Sequence, residues 1–144
     1  MGLFYDHVAL AVTDLDRAIA FYQGVMGFEG GTRKFLKDGR EQATFHVGEG
    51  ILVLFHLPRY LQVQRSPRSG LHHLAFGLDP KEYDAIVRRC KESGVRIERA
   101  EKNSGAMGMG LATYFYYPDG NEIEIKKYVE DPNFKDHEVE GYEV

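Results

Sequence analysis

Two short segments decide the fold of this chain, His7-Val-Ala-Leu-Ala-Val12 and His73-Leu-Ala-Phe-Gly-Leu78. Each is followed by an aspartate, Asp14 or Asp79, and then by apolar residues at helical spacing. Because side chains alternate along a strand, histidine, alanine and a second small residue share one face of each segment, and larger apolar residues share the other. The two segments therefore predict matching strand–helix units, and hence a chain built from two similar halves.

Each predicted helix has a start and a stop signal. Thr13 or Asp14 can cap the first helix, which Gly27 ends. Asp79 can cap the second helix, which ends before Gly94. Runs of strand-forming residues separated by turn signals follow each helix. The predicted strands are 31–36, 42–47 and 51–57 in the first half and 96–100, 111–117 and 122–129 in the second.

The pattern predicts an α+β chain of two βαβββ modules within a single domain, 1–144. The modules are predicted at about 4–58 and 71–129, joined by a polar linker at about 59–70. Residues 130–144 hold six acidic residues against one lysine and are predicted to form an arm that is disordered or packs on a partner chain.

Composition narrows the classes of function. The chain has 144 residues, 43% hydrophobic and 28% charged, and a formal net charge of -4 without a long Lys/Arg cluster. We therefore expect a small-molecule substrate and no nucleic-acid partner. No apolar run is long enough for a membrane span, and no basic region precedes the first apolar run, so we expect no membrane partner and a cytoplasmic location. The single cysteine, Cys90, lies in the apolar stripe of the second helix and is expected to serve packing.

Three residues form a candidate metal site. His7 and His73 open matching strands, so pseudo-twofold folding would bring them together, and Glu124 lies on the final strand. Two imidazoles and one carboxylate suit Fe(II), and also Mn(II), Ni(II) or Zn(II), and leave coordination positions open for substrate. The alternative is structural, because single histidines are commonly half-buried and an alternating strand such as 122–126 usually exposes its acids to water.

Three segments resemble the vicinal oxygen chelate superfamily of glyoxalase I, extradiol dioxygenases, and fosfomycin- and bleomycin-resistance proteins. They are His7 to Tyr22, His72 to Phe76, and Tyr114 to Ile125, which contains the turn Pro-Asp-Gly-Asn. The resemblance implies a cupped mixed β-sheet around a central metal site, commonly completed by homodimerisation. It also implies a divalent metal ion held by His7, His73 and Glu124.

Departures from the family patterns narrow the chemistry. Glyoxalase I has a fourth ligand, a glutamate, on a strand that here reads Ile51-Leu-Val-Leu-Phe55, so His56 is the nearest substitute. Fosfomycin-resistance enzymes resemble the chain at His7 and Tyr114 but carry a threonine where Ala9 stands. Bleomycin-binding members lack the metal ligands. The resemblance therefore favours a dioxygenase, although typical ring-cleaving dioxygenases are longer; a glyoxalase-like lyase or isomerase and a metal-free antibiotic-binding protein are the alternatives.

Four further features lie near the predicted site in sequence or carry suitable chemistry. Tyr114 is predicted to donate a hydrogen bond or act as general acid, the alternative being a core tyrosine. His56 is a second candidate for acid–base catalysis. His72 adjoins a predicted ligand but is expected on the opposite strand face, as a structural or surface residue. The glycine-rich segment Ser104 to Gly110 predicts a flexible loop that closes over an apolar substrate.

Overall fold

A computed structural model describes residues 2–57 and 71–128 and the backbone of 141–142. The chain divides into two compact units, Met1–Gly70 and Leu71–Val144, called here module one and module two. Each is described by itself. Met1 and residues 58–70, 129–140 and 143–144 lie outside the described part, and with them the predicted linker and most of the acidic arm.

Module one is a four-stranded mixed sheet with one helical layer. Its elements are β1 (His7–Val12), α1 (Leu15–Ala20) continued by a π-helical turn (Phe21–Val25), β2 (Gly30–Phe35), β3 (Glu41–Val47) and β4 (Gly50–His56). The strand order is β1-β4-β3-β2, with β1 and β4 parallel and the other pairs antiparallel. As predicted, Asp14 caps the helix by accepting from the backbone N–H of Arg17 at 3.0 Å.

Module two repeats this plan. Its elements are β5 (Leu74–Leu78), α2 (Pro80–Glu92), β6 (Ile97–Gly105), β7 (Gly108–Tyr116), β8 (Glu122–Tyr128) and β9 (Gly141–Tyr142). The order is β5-β8-β7-β6-β9, with β5 and β8 parallel. Asp79 caps α2 by accepting from the backbone N–H of Glu82 at 3.0 Å. The predicted α+β class and the βαβββ order of both modules are confirmed.

The helix of each module covers one face of its sheet. In module two the Tyr83 hydroxyl of α2 hydrogen-bonds to the Thr113 hydroxyl of β7, which fixes the side on which the helix lies. Ile123 and Ile125 of β8 are fully buried on this helix-side face. Because β8 alternates, its residues Glu122, Glu124 and Lys126 lie on the other face.

The glycine-rich segment is a hairpin, and the prediction of a flexible loop is wrong. Strands β6 and β7 pair as far as Gly105 and Gly108, leaving a two-residue turn. A Cβ added at Gly105 would lie 2.7 Å from Lys126 Cε, and one at Gly110 would lie 2.5 Å from the Lys127 carbonyl oxygen. These two glycines therefore allow the strands and the Lys126 side chain to approach closely.

Part of the predicted acidic arm pairs with the sheet of module two. The backbone of Gly141–Tyr142 adds to the edge of β6. Among the described residues, no helix is long and apolar enough to span a membrane.

Candidate metal centre

Strand alternation and register place a group of polar side chains on the sheet face of module two that is turned away from α2. Register pairs Tyr114 with Glu124 across β7 and β8, and Arg99 with Tyr114 across β6 and β7. Paired residues share a face, so these side chains are neighbours. The group, called here the polar face, consists of Arg99, Glu101, Asn103, Tyr114, Glu122, Glu124 and Lys126.

The acids of β8 are buried, in contrast to the usual exposure of an alternating strand. Glu122, Glu124 and Lys126 are only 8%, 5% and 4% exposed. Arg99 Nη2 lies 2.7 Å from Glu122 Oε1, and Lys126 Nζ donates to the Asn103 carbonyl at 2.8 Å. Buried charges persist only where partners compensate for lost water, and β6 supplies these partners.

His73 and Glu124, two of the three predicted metal ligands, lie side by side. His73 Nε2 is 3.2 Å from Glu124 Oε2, and the His73 side chain is 38% exposed. An imidazole nitrogen and a carboxylate oxygen at this spacing can bind the same divalent ion. Lys126 Nζ is 3.8 Å from Glu124 Oε1, beyond a hydrogen bond. Lys126 therefore compensates the charge of Glu124 without a hydrogen bond to it, and the donor set of His73 and Glu124 fits a divalent metal.

Tyr114 adjoins this pair. Its ring lies edge-on to the His73 ring at 6.1 Å between centroids, and the Arg99 guanidinium lies 3.7 Å from its ring centre. Its hydroxyl oxygen accepts a hydrogen bond from Asn103 Nδ2. Burial, followed by the charges of Glu124 and Glu101, raises the pKa of Tyr114 to about 12. The phenol is protonated at neutral pH, as an unperturbed tyrosine also is; the raised pKa makes it a weaker acid, and its hydroxyl hydrogen-bonds to Glu124.

The third predicted ligand, His7, belongs to module one. It begins β1, its side chain is 52% exposed, and its Nδ1 lies 2.5 Å from Asp6 Oδ1. A site formed by His7, His73 and Glu124 needs residues of both modules, so the complete ligand set stays a prediction.

His56 does not share a strand face with His7. Register pairs His56 with Val12, and Val12 lies on the helix-side face of β1, opposite His7. Its Nε2 lies 3.1 Å from the Thr13 carbonyl oxygen. The condition under which His56 could face the site, an inward register, is not met, and its catalytic role stays a prediction that this placement disfavours.

Register also identifies the module-one counterparts of the site. Ala9 pairs with Val53 as Ala75 pairs with Glu124, so Val53 occupies the position of Glu124. In the same way Thr44, which pairs with Val53, occupies the position of Tyr114. Module one therefore has a valine at the position where a carboxylate could serve as the fourth metal ligand.

His72 is not on the opposite face, and that prediction is wrong. Strand β5 begins at Leu74, so the alternation counted from His73 does not extend to His72. The two rings meet, with His72 Nδ1 2.9 Å from His73 Nδ1. Ligand atoms of His72, His73 and Glu122 all lie within 4.8 Å of one another.

Sequence reasoning missed the cationic part of the polar face. Arg99 and Asn103 lie at alternate positions of β6, where the intervening residues are of mixed polarity. The β8 alternation places Lys126 on the face of Glu124 but does not predict its contact with β6. The signal was the matching period of two in β6 and β8, which becomes informative once their register to β7 is known.

Comparison with known proteins identifies the family of the chain. The model of the Glyoxalase/Bleomycin resistance protein/Dioxygenase superfamily matches residues 5–125. The chain belongs to this superfamily. Members of the superfamily are typically dependent on a divalent metal ion.

Three relatives show how broad the superfamily is. Virulence protein STM3117 of Salmonella typhimurium is 30% identical over 129 residues, covering 86% of this chain and 83% of that protein. Its crystal structure has a TM-score of 0.61 at 24% identity, covering 90% of this chain and 99% of the other, and supports the fold. Metallothiol transferase FosB of Shouchella clausii is 28% identical, covering 83% of this chain and 77% of that protein. Catechol-2,3-dioxygenase of Bacillus subtilis is 30% identical over 83% of this chain, which spans only 39% of that protein.

Proposed function

We propose that this chain is a metal-dependent enzyme that binds a small substrate through two neighbouring oxygen atoms, and that it acts as a dioxygenase. The observation that carries the proposal is the buried Glu124 carboxylate, whose Oε2 lies 3.2 Å from His73 Nε2. With His7 these residues would hold Fe(II), and the same ligand types accept Mn(II), Ni(II) or Zn(II).

The side chains of the polar face have separate tasks in this proposal. A bound divalent ion would act as a Lewis acid that favours the ionised form of a substrate with two oxygens. The Tyr114 phenol is protonated at neutral pH, as any ordinary tyrosine is, and its hydroxyl, which hydrogen-bonds to Glu124, would donate a hydrogen bond to a substrate oxygen instead. Asn103 and Arg99 hold the Tyr114 hydroxyl and ring in place.

The counterpart relation between Glu124 and Val53 supports a three-ligand site. Val53 cannot bind a metal, so a site of His7, His73 and Glu124 leaves more than one coordination position open. Open positions suit a substrate that chelates the ion and an oxygen molecule beside it. Similarity to the Bacillus catechol-2,3-dioxygenase is in keeping with this choice, and a glyoxalase-like lyase would require His56, water or another residue in the missing ligand position.

A second candidate is metal-dependent group transfer or isomerisation without oxygen. It is favoured by the similarity to metallothiol transferase FosB, of which this chain covers 77%, against 39% of the dioxygenase. Ala9, where the fosfomycin-resistance pattern has threonine, counts against fosfomycin as the substrate.

Oxygen uptake separates the candidates. Protein loaded anaerobically with Fe(II) is mixed with a panel of catechols in an oxygen electrode, beside Glu124→Gln. The proposal predicts stoichiometric oxygen consumption by wild type and none by the variant. Turnover or proton exchange without oxygen uptake would establish the second candidate. Stoichiometric ligand binding that persists after chelation would instead indicate a metal-free binding protein.

Homodimerisation and a cytoplasmic location complete the proposal. Light scattering of the purified protein, at concentrations on either side of the micromolar range, tests the dimer directly.

A further inference from the structure

We propose that His72 is a positioning residue that holds the His73 imidazole with its Nε2 atom turned to Glu124. The inference rests on the proposed metal site. His72 Nδ1 lies 2.9 Å from His73 Nδ1, within hydrogen-bond distance. The two rings are edge-on, with centroids 5.1 Å apart.

The two nitrogens of His73 face different partners. Nε2 lies 3.2 Å from Glu124 Oε2, on the side of the proposed ion, and Nδ1 lies against His72. A metal-binding imidazole presents a lone pair at one nitrogen and usually donates the N–H of the other to a fixed partner. Nδ1 of His72 can accept that hydrogen bond. His72 therefore stabilises the His73 tautomer whose Nε2 lone pair is free for a metal ion.

The surroundings favour this role over direct metal binding by His72. Ligand atoms of His72, His73 and Glu122 cluster within 4.8 Å. However, Glu122 Oε1 is already 2.7 Å from Arg99 Nη2, and a guanidinium beside the cluster repels a second cation. Glu122 Oε2 is 3.8 Å from His72 Nδ1, longer than a hydrogen bond.

Substitutions of His72 can test the role cleanly, because its side chain is 83% exposed and contributes little packing. His72→Asn places an amide near the position of Nδ1 and keeps an acceptor there. His72→Gln places the amide near Nε2, and His72→Ala removes it. Leu71→Ala, at the exposed neighbouring residue, controls for disturbance of the segment before β5.

The experiment measures Zn(II) dissociation constants by chelator competition, with thermal melts to confirm folding. We expect His72→Ala and His72→Gln to bind about 10-fold more weakly than wild type, the lower end of losses found for such partners. His72→Asn and Leu71→Ala should stay within about threefold of wild type, a margin of some 0.7 kcal/mol at 1.4 kcal/mol per tenfold.

A spectroscopic readout separates positioning from general structural damage. In ¹⁵N-labelled Zn(II)-loaded protein, the His73 Nδ1–H should exchange slowly with water in wild type and in His72→Asn. It should exchange rapidly in His72→Ala.

The outcomes distinguish the inference from the proposed function. Wild type that binds no Zn(II) would overturn both. Equal binding by wild type and His72→Ala, with equal exchange of the Nδ1–H, would overturn the inference and leave the proposed site standing. Loss of more than about 100-fold in both His72→Ala and His72→Asn would show that His72 is itself a ligand.

Discussion

The two modules have the same backbone plan but different chemistry on one sheet face. Glu124 and its counterpart Val53 are buried almost equally, at 5% and 6% exposure. Lys126 of module two corresponds by register to Phe55 of module one, because Gly77 pairs with Lys126 as Ala11 pairs with Phe55. The same sheet face therefore carries charged side chains in module two and apolar side chains in module one.

The neighbouring strand explains why only one copy tolerates these charges. In module two, β6 provides Arg99 to Glu122 and Asn103 to Lys126. The counterpart strand of module one, β2, provides Thr32 opposite Thr44, where β6 provides Arg99 opposite Tyr114. A buried ion needs a partner already in place, so the polar face is a property of three strands together rather than of β8.

The helix-side faces, by contrast, should respond alike in the two modules. Phe45 and Phe115 occupy equivalent positions, paired with Leu52 and Ile123, and both are fully buried. We expect Phe45→Ala and Phe115→Ala each to lower the free energy of unfolding by about 4 kcal/mol, the loss typical of a large core residue. Urea denaturation measures both. A difference of more than about 2 kcal/mol between them would break the proposed equivalence of the two cores.

The other sheet faces of the two modules should differ in how well they tolerate a buried charge. A glutamate introduced in module one tests this difference. In metal-free protein, Val53→Glu buries a carboxyl without the counterparts of Arg99 and Lys126. We expect a loss of about 3 kcal/mol at pH 8, as for other unpaired buried charges, and a smaller loss for Val53→Gln.

The stability of Val53→Glu should depend on pH, and the direction of this dependence follows from the pKa of the new carboxyl. Burial without a partner raises the pKa of a carboxyl in the folded state above its unfolded value. The folded variant is then favoured at low pH and loses stability as pH rises. Urea denaturation at pH 5 and pH 8 should therefore show a larger deficit at pH 8. An equal deficit at both pH values would contradict the claim that module one lacks charge compensation.

Much of this comparison could be predicted from the repeated segments. The matching histidines, the two helix caps and the shared face of Glu122, Glu124 and Lys126 follow from periodicity and local signals. The burial of that face could not be predicted, because alternation within one strand does not show what lies beside it.

Two predictions are wrong because local sequence does not show the surrounding structure. Alternation counted from His73 places His72 on the opposite strand face, yet strand β5 begins only at Leu74. The glycine-rich composition predicts flexibility at Gly105 and Gly110, yet these glycines make room for Lys126 and the β8 backbone. Glycine has either meaning in a sequence, and only the tertiary contact distinguishes them.

A smaller difference between the modules lies in the contact of helix and sheet. The hydroxyls of Tyr83 and Thr113 hydrogen-bond in module two, whereas Ala43 occupies the position of Thr113 in module one. We expect Tyr83→Phe to cost about 1–2 kcal/mol, because it removes a buried hydrogen bond. Adding Thr113→Val should recover part of this loss. A double-mutant cycle with no coupling energy would show that the hydrogen bond contributes nothing.

The smallest effect on stability at neutral pH concerns Cys90, which is fully buried in α2. Burial raises the pKa of its thiol to about 11, so only about 0.1% is thiolate at pH 8. We expect reaction with a chromogenic disulfide to be at least about 100-fold slower in the folded protein than in urea, with Cys90→Ser as blank. The contribution of Cys90 to the free energy of unfolding, measured as the difference from Cys90→Ser, should be constant well below pH 9 and fall as pH rises from about 9 to about 11. Equal rates in the folded and unfolded chain would contradict a packing role.

We propose that His73 and Glu124 of module two bind a metal ion, with His7 as the third ligand. The most direct test is elemental analysis of anaerobically purified wild type beside His7→Ala, His73→Ala and Glu124→Gln, with equilibrium binding of Fe(II) and Zn(II) to each. We predict near-stoichiometric metal in wild type and loss of more than about 100-fold in affinity for every variant, exceeding the loss from a residue that only supports a ligand. Absence of bound metal in wild type, or equal binding in all four proteins, would contradict the account.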